Sequence, residues 1–262
     1  LGLWAGELGE HAQAWEFERK GGIIVASQES SLQSLRRALA VQHQHGIRVE
    51  EMDAAALRAI EPHVTPDAVG AAFYPDDSQV MPMMVVNRLL HLAREHGATV
   101  SADTEVTGML RRGDAVIGVR TSRGDVYADA VVNAAGPWAG GVAHLAGVHL
   151  PVVPRRGYVM VTAVQPPRVH HKVYAAEYID DVGTSDASLQ TSPVVESTPA
   201  GSILIGSSRE RVGFSDELNR EALRGMAAGA VRLFPFLRDV PVLRHYHGFR
   251  PYSLDHVPMI GP

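Results

Sequence analysis

The run Ala130-Val131-Val132-Asn133-Ala134-Ala135 constrains the fold more than any other stretch, because it is continuous, small and apolar and is stopped by Gly136-Pro137. A strand covered on both faces reads this way, since neither side has to meet water. Such strands belong to sheets flanked by helices, so the centre of the chain is expected to be α/β. The residues before it agree. Pro82 suits the first turn of a helix running to His96, with Val85, Val86, Leu89, Leu90 and Ala93 recurring along it and Gly97 closing it. A short strand is expected at 98–101. Two alternating runs at 105–111 and 115–121 meet at Gly113-Asp114 and read as a hairpin.

The flanks have a different texture. Roughly helical spacing runs from Leu3 towards Arg19, and Gly21-Gly22 ends it ahead of Ile23-Ile24-Val25-Ala26, a short buried strand. A helix is expected at 30–45, with Leu32, Leu35 and Leu39 on one face and Gly46 as its stop. Asp53 is a good N-cap for a helix at 54–60, closed by Glu61-Pro62. After Pro151, strand-like runs at 158–164, 192–196 and 203–206 are separated by Gly/Ser/Pro-rich turns. A helix at 216–233 interrupts them, and 243–249 is a further strand, alternating with histidines.

Length and composition bound the function. The chain has 262 residues, enough for one large or two modest domains, and with 45% hydrophobic and 20% charged residues it has ample material for a core. A net charge of −5 argues against a general nucleic-acid binder, which needs a basic footprint for phosphates. The absence of cysteine excludes disulfides, thiolate zinc sites and a cysteine nucleophile within these residues, and fits a reducing cytosol. No stretch approaches the roughly 20 apolar residues that span a bilayer, and no signal-peptide layout opens the chain. Leu1 in place of Met, and an apolar close at Met259-Ile260-Gly261-Pro262, lead us to expect a piece of a longer protein.

Several motifs are missing or point elsewhere. There is no G-x-G-x-x-G, Walker A loop or G-x-S-x-G, which lowers the dinucleotide-fingerprint, phosphate-loop and α/β-hydrolase readings. His91, Glu95 and His96 miss the inverse zinc motif by one residue, and a polar helix face explains them. His245 and His247 share one face of a strand, but no carboxylate cluster accompanies them. We therefore assign no metal. Arg36-Arg37 and Arg111-Arg112 read as solvated faces.

Three stretches carry the function when taken together. They are Thr104-Glu105-Val106 with its hairpin, Asn133-Ala134-Ala135-Gly136-Pro137-Trp138, and Gly248-Phe249-Arg250-Pro251-Tyr252 running on to Gly261. In this order they resemble the flavin-dependent D-amino-acid oxidase superfamily. The closest likeness is to its glycine oxidase, sarcosine oxidase beta-subunit and proline or hydroxyproline dehydrogenase beta-subunit branch. Asp77-Ser78-Gln79-Val80-Met81-Pro82 and Gly206-Ser207-Ser208-Arg209-Glu210 extend the likeness over essentially the whole chain.

The resemblance implies a mixed α/β (α+β) fold, in which an incomplete Rossmann-like FAD-binding domain is interleaved with a β-rich antiparallel substrate domain. The implied division is 1–74 substrate, 75–150 FAD-binding, 151–246 substrate and 247–262 FAD-binding. It implies FAD as cofactor, contacted by Val106, Asn133, Ala134, Ala135, Gly136, Trp138 and Gly261. It also implies oxidation of an α-amino or N-alkyl amino acid to an imine, with hydride passing to flavin. Arg250 would grip the substrate carboxylate with two parallel hydrogen bonds, a geometry that suits a planar guanidinium. Tyr252 and His247 are further catalytic candidates, and Tyr246, Tyr174 or Tyr178 would line the pocket.

Small side chains at 133–136 leave room for backbone to approach a ligand, and an otherwise unremarkable packed strand is the plainer reading. No cysteine is available here for a covalent flavin link. A chain without the family's N-terminal glycine loop is expected to hold FAD poorly. The partners expected are the amino-acid substrate and the other subunits of a heteromeric dehydrogenase, in the cytoplasm or held at a membrane by a further segment or partner. The competing readings are a 2-hydroxy-acid or glycerol-phosphate dehydrogenase of the same fold and a non-catalytic flavoprotein subunit.

Overall fold

A computed structural model describes residues 2–176 and 188–261. Its elements, in chain order, are α1 (Gly2–Ala5), β1 (Gly22–Ala26), α2 (Glu29–Gln44), β2 (Glu50–Asp53), α3 (Ala54–Ile60), β3 (Gly70–Tyr74) and α4 (Pro82–Glu95). These are followed by the hairpin strands β4 (Val106–Arg112), β5 (Ala115–Thr121) and β6 (Gly124–Tyr127), and by α5 (Ala139–Leu145). The last third holds β7 (Val152–Thr162), β8 (Lys172–Ala175), β9 (Gln190–Ser197), β10 (Ile203–Arg209), α6 (Arg220–Leu233) and β11 (Val242–Ser253).

Two sheets result. The larger has eight strands in the order β11-β7-β10-β9-β8-β1-β3-β2, and the smaller is the β4-β5-β6 meander. Within the larger sheet only β1 and β8 run parallel; the other neighbours are antiparallel. The fold is mixed α/β, and two non-contiguous stretches, 22–74 and 152–253, build one sheet.

Alternation along the strands gives this sheet two different faces. Ile23, Val25, Val173, Val195, Ile203, Ile205, Tyr158 and Met160 point to one side, where Ala222, Met226, Ala230 and Leu233 of α6 cover them. α6 begins where Asn219 accepts from the Glu221 and Ala222 amides, so the helix starts four residues later than its hydrophobic spacing suggests. On the other side, Ile24, Ala26 and Ala72 are covered by Leu32, Leu35 and Leu39 of α2. That helix reaches only the β1–β3 end. From β8 to β11, residues of this face line a cavity that no described helix other than the start of α4 adjoins.

Three sequence expectations fail here. Residues 98–101 form no strand. Residues 130–135, expected as a strand covered on both faces, join no ladder, and Val132 is 86% exposed. The reason is positional: no described strand runs alongside them to take their backbone hydrogen bonds or cover their side chains. α4 shares the exposure. Val85 is its one buried residue, while Met83 is 72% and Val86 57% exposed. The helix expected across the first nineteen residues is broken into α1 and a 3-10 turn at Gly9–Trp15, ended by Glu16 at φ 53°. Among the described residues, no helix is long and apolar enough to cross a membrane.

Candidate active site

β7 and β11 form the longest ladder in the molecule, with Arg250 opposite Arg155, Tyr246 opposite Val159 and His247 opposite Tyr158. Alternation therefore puts Arg155, Val159, Tyr246 and Arg250 on the open face of the sheet. They line a cavity of about 530 Å³, together with Lys172 and Tyr174 of β8, Glu196 of β9, Ser207 and Arg209 of β10, and the segment 78–82 leading into α4.

Arg250 is held on two sides. Its Nη1 donates to the Ser208 carbonyl at 3.1 Å. Below it lies Gly157, where an added Cβ would stand 2.3 Å from that Nη1 and 2.6 Å from the Ser208 oxygen. Only the absence of a side chain at 157 lets the guanidinium lie across β7. Arg155 leans the other way, its Cζ 4.6 Å from the centre of the Tyr252 ring. Lys172 Nζ is 3.7 Å from Glu196 Oε2. Ser207 Oγ is buried with no hydrogen-bond partner among the described residues, a polar group left for whatever enters the cavity. Just before Ser78 in the chain, burial raises the Asp77 carboxyl above the usual carboxylate range; Lys172 opposes this and Asp76 adds to it.

The structure separates the other residues expected at the site. His247 lies on the opposite face of β11 from Arg250, its ring 5.5 Å from that of Tyr158 and 5.7 Å from Phe249. Tyr252 is buried and stacks on Arg155, with Arg211 also over its ring. It braces the cavity wall without lining it. Tyr174 and Tyr246 line the cavity, and Tyr178 falls outside the described residues. The arginine pair 155-156 went unnoticed in the sequence. Neighbouring residues of a strand point to opposite faces, so Arg155 reaches the cavity while Arg156 is buried behind the sheet, 2.9 Å from Glu210.

The residues expected to contact cofactor lie apart from this cavity. Val106 opens β4 beside a register shift. Asn133, itself exposed, folds back on its own loop, donating to the Ala139 carbonyl and accepting from the Ala135 amide, and the small Ala134 is also at the surface. Gly136 adopts φ +54° with nothing within 4 Å of an added Cβ. Trp138 is exposed and stacks on Phe214, ring centres 5.2 Å apart, and Gly261 is exposed near the chain end. Open backbone, small side chains and free space at 131–136 suit the close approach of a large planar cofactor.

The sequence profile of the FAD dependent oxidoreductase (DAO) family matches residues 1–262. The chain belongs to this family. It is 32% identical to the hydrogen cyanide synthase subunit HcnC of Pseudomonas protegens, over 97% of this chain and 58% of that protein. It is also 36% identical to the glycine oxidase of Pseudomonas aeruginosa, over 61% of this chain and 40% of that one. The chain thus spans a little over half the length of HcnC. Among solved structures, L-proline dehydrogenase from P. horikoshii superposes with a TM-score of 0.87 at 21% identity, over 99% of this chain and 67% of that one. The DAO fold is therefore present here, with the large mixed sheet and the small antiparallel sheet in place. FAD is the cofactor of the family, and a glycerophosphate oxidase of similar fold was solved with FAD bound.

Proposed function

We propose that this DAO-family chain carries the amino-acid site of an FAD-dependent oxidoreductase that oxidises the C–N bond of a small amino acid or N-alkyl amino acid. One observation supports the reading above the rest: Arg250 stands on the open face of β11 in a large cavity, pinned by the Ser208 carbonyl over the gap at Gly157. A fixed guanidinium binds a carboxylate in one orientation and so sets where the substrate's Cα–H points.

Val106, the 133–136 segment and Trp138 would hold FAD, which would supply the hydride acceptor. The chain's own residues do the rest. Arg250 anchors the carboxylate, Tyr174 and Tyr246 wall the cavity, and the amine loses its proton to solvent before hydride leaves. The products are the imine, which water hydrolyses to oxo acid and amine, and reduced flavin. The relative HcnC is a subunit by name, which supports partner subunits as the destination of the electrons.

The test is anaerobic mixing of the flavin-loaded protein with glycine, sarcosine, proline, hydroxyproline and D-amino acids. Loss of flavin colour with one of these is expected. Bleaching by a 2-hydroxy acid or glycerol phosphate alone would overturn the reading, as would bleaching by none.

A further inference from the structure

Arg250 stands on β11, yet the carbonyl that holds it belongs to β10, two strands and about 9–10 Å away across the sheet. A strand carbonyl is ordinarily taken up by its neighbour's amide, so this one has first to be released from the ladder. The pairing of β10 with β7 shows how. The two strands pair at Leu204 and Ile205, opposite Val161 and Met160, and meet again at Glu210 opposite Arg156. From Met160 to Arg156 β7 advances four residues, while from Ile205 to Glu210 β10 advances five. β10 therefore carries one extra residue, a β-bulge, beside the cavity.

Ser208 lies inside that bulge and is fully buried. Its side chain does what its main chain ordinarily would: Oγ accepts from the Tyr158 amide at 3.0 Å. The Ser208 carbonyl is then available to Arg250 Nη1 at 3.1 Å, over the gap at Gly157. Without the hydroxyl, the buried Tyr158 amide competes with Arg250 for that carbonyl or goes unpaired. Ser208 itself does not line the cavity, so its effect on a ligand has to pass through another residue.

We propose that Ser208 is the positioning residue of the carboxylate anchor: its hydroxyl takes the Tyr158 amide and so frees its own carbonyl to fix the Arg250 guanidinium. This rests on the reading of Arg250 as that anchor and deepens it by one residue.

Calorimetric titration of the flavin-loaded protein with propionate, a bare carboxylate probe, tests it without turnover. Ser208→Ala is expected to weaken propionate about fivefold or more, and Ser208→Thr, which keeps the hydroxyl, by less than about twofold. In an Arg250→Lys background Ser208→Ala should add less than about twofold, because residues that act through one another are not additive. A merely structural hydroxyl would lower Tm and leave propionate binding unchanged, or weaken it equally in both backgrounds; either result would overturn the proposal. If Ser208→Ala fails to fold, Ser208→Cys, close in volume and only a weak acceptor, takes its place with the same expectations. Absence of propionate binding, or binding that Arg250→Lys leaves unweakened, would remove the anchor, and this inference with it.

Discussion

Arg250 and Gly157 act as one unit although 93 positions separate them, because the ladder lays one across the other. Arg250→Lys keeps the charge but replaces a two-pronged planar group with a point charge. KM for the amino acid should rise by about tenfold or more with a smaller change in kcat; an unchanged KM would remove Arg250 from the site. Gly157→Ala should act in the same direction, since its Cβ meets both the guanidinium and the Ser208 oxygen. It should also destabilise the fold by about 1–3 kcal/mol, the usual range for overpacking. Steady-state kinetics and denaturant unfolding on the one variant check both parts. Arg250 was legible in the sequence because it stands among apolar and small neighbours. Arg155 and Gly157 were not, since their meaning lies in a cross-strand register that spacing along the chain does not reveal.

Elements were legible where local and tertiary demands coincide. α3 was expected at 54–60, and Asp53 caps it by accepting from the Ala55 and Ala56 amides. The hairpin at Gly113 and the strand at 22–26 likewise carry their own punctuation. Residues 130–135 show the opposite case: apolarity there reports a demand for cover, and no described strand meets it. β7, β10 and the approach to α6 are joined by a buried pair that no local pattern announces. Glu210 accepts from Arg156 Nε at 2.9 Å and from Asn219 Nδ2 at 2.9 Å, while Arg156 Nη1 donates to the Ser215 and Glu217 carbonyls. Glu210→Ala leaves the Arg156 charge buried without its anion, which costs about 3 kcal/mol or more. Denaturant titration would read it, and a loss under about 1 kcal/mol would show that the carbonyls alone suffice.

At the scale of the molecule, the stability of the fold responds to pH through Asp77. Burial holds the Asp77 carboxyl above its ordinary value, so the folded chain binds that proton more tightly than the unfolded one. Stability from this group is then greatest below the ordinary carboxylate value and falls as pH rises through the raised one. Asp77→Asn, neutral at every pH, should melt higher than the unaltered protein at pH 7 and match it below about pH 4. A Tm difference of equal size at both pH values would refute the assignment.

The two faces of the large sheet have a further consequence. From β8 to β11, odd and even positions of the same strands carry different duties: one set is packed under α6, the other walls the cavity. A single substitution such as Val159 or Tyr246 can therefore retune what the cavity admits while Tyr158 and Met160 keep their packing. Specificity and foldability are written on alternate letters of one text. A lineage can revise the first without rewriting the second, whereas inserting one residue into β7 would exchange the two at a stroke.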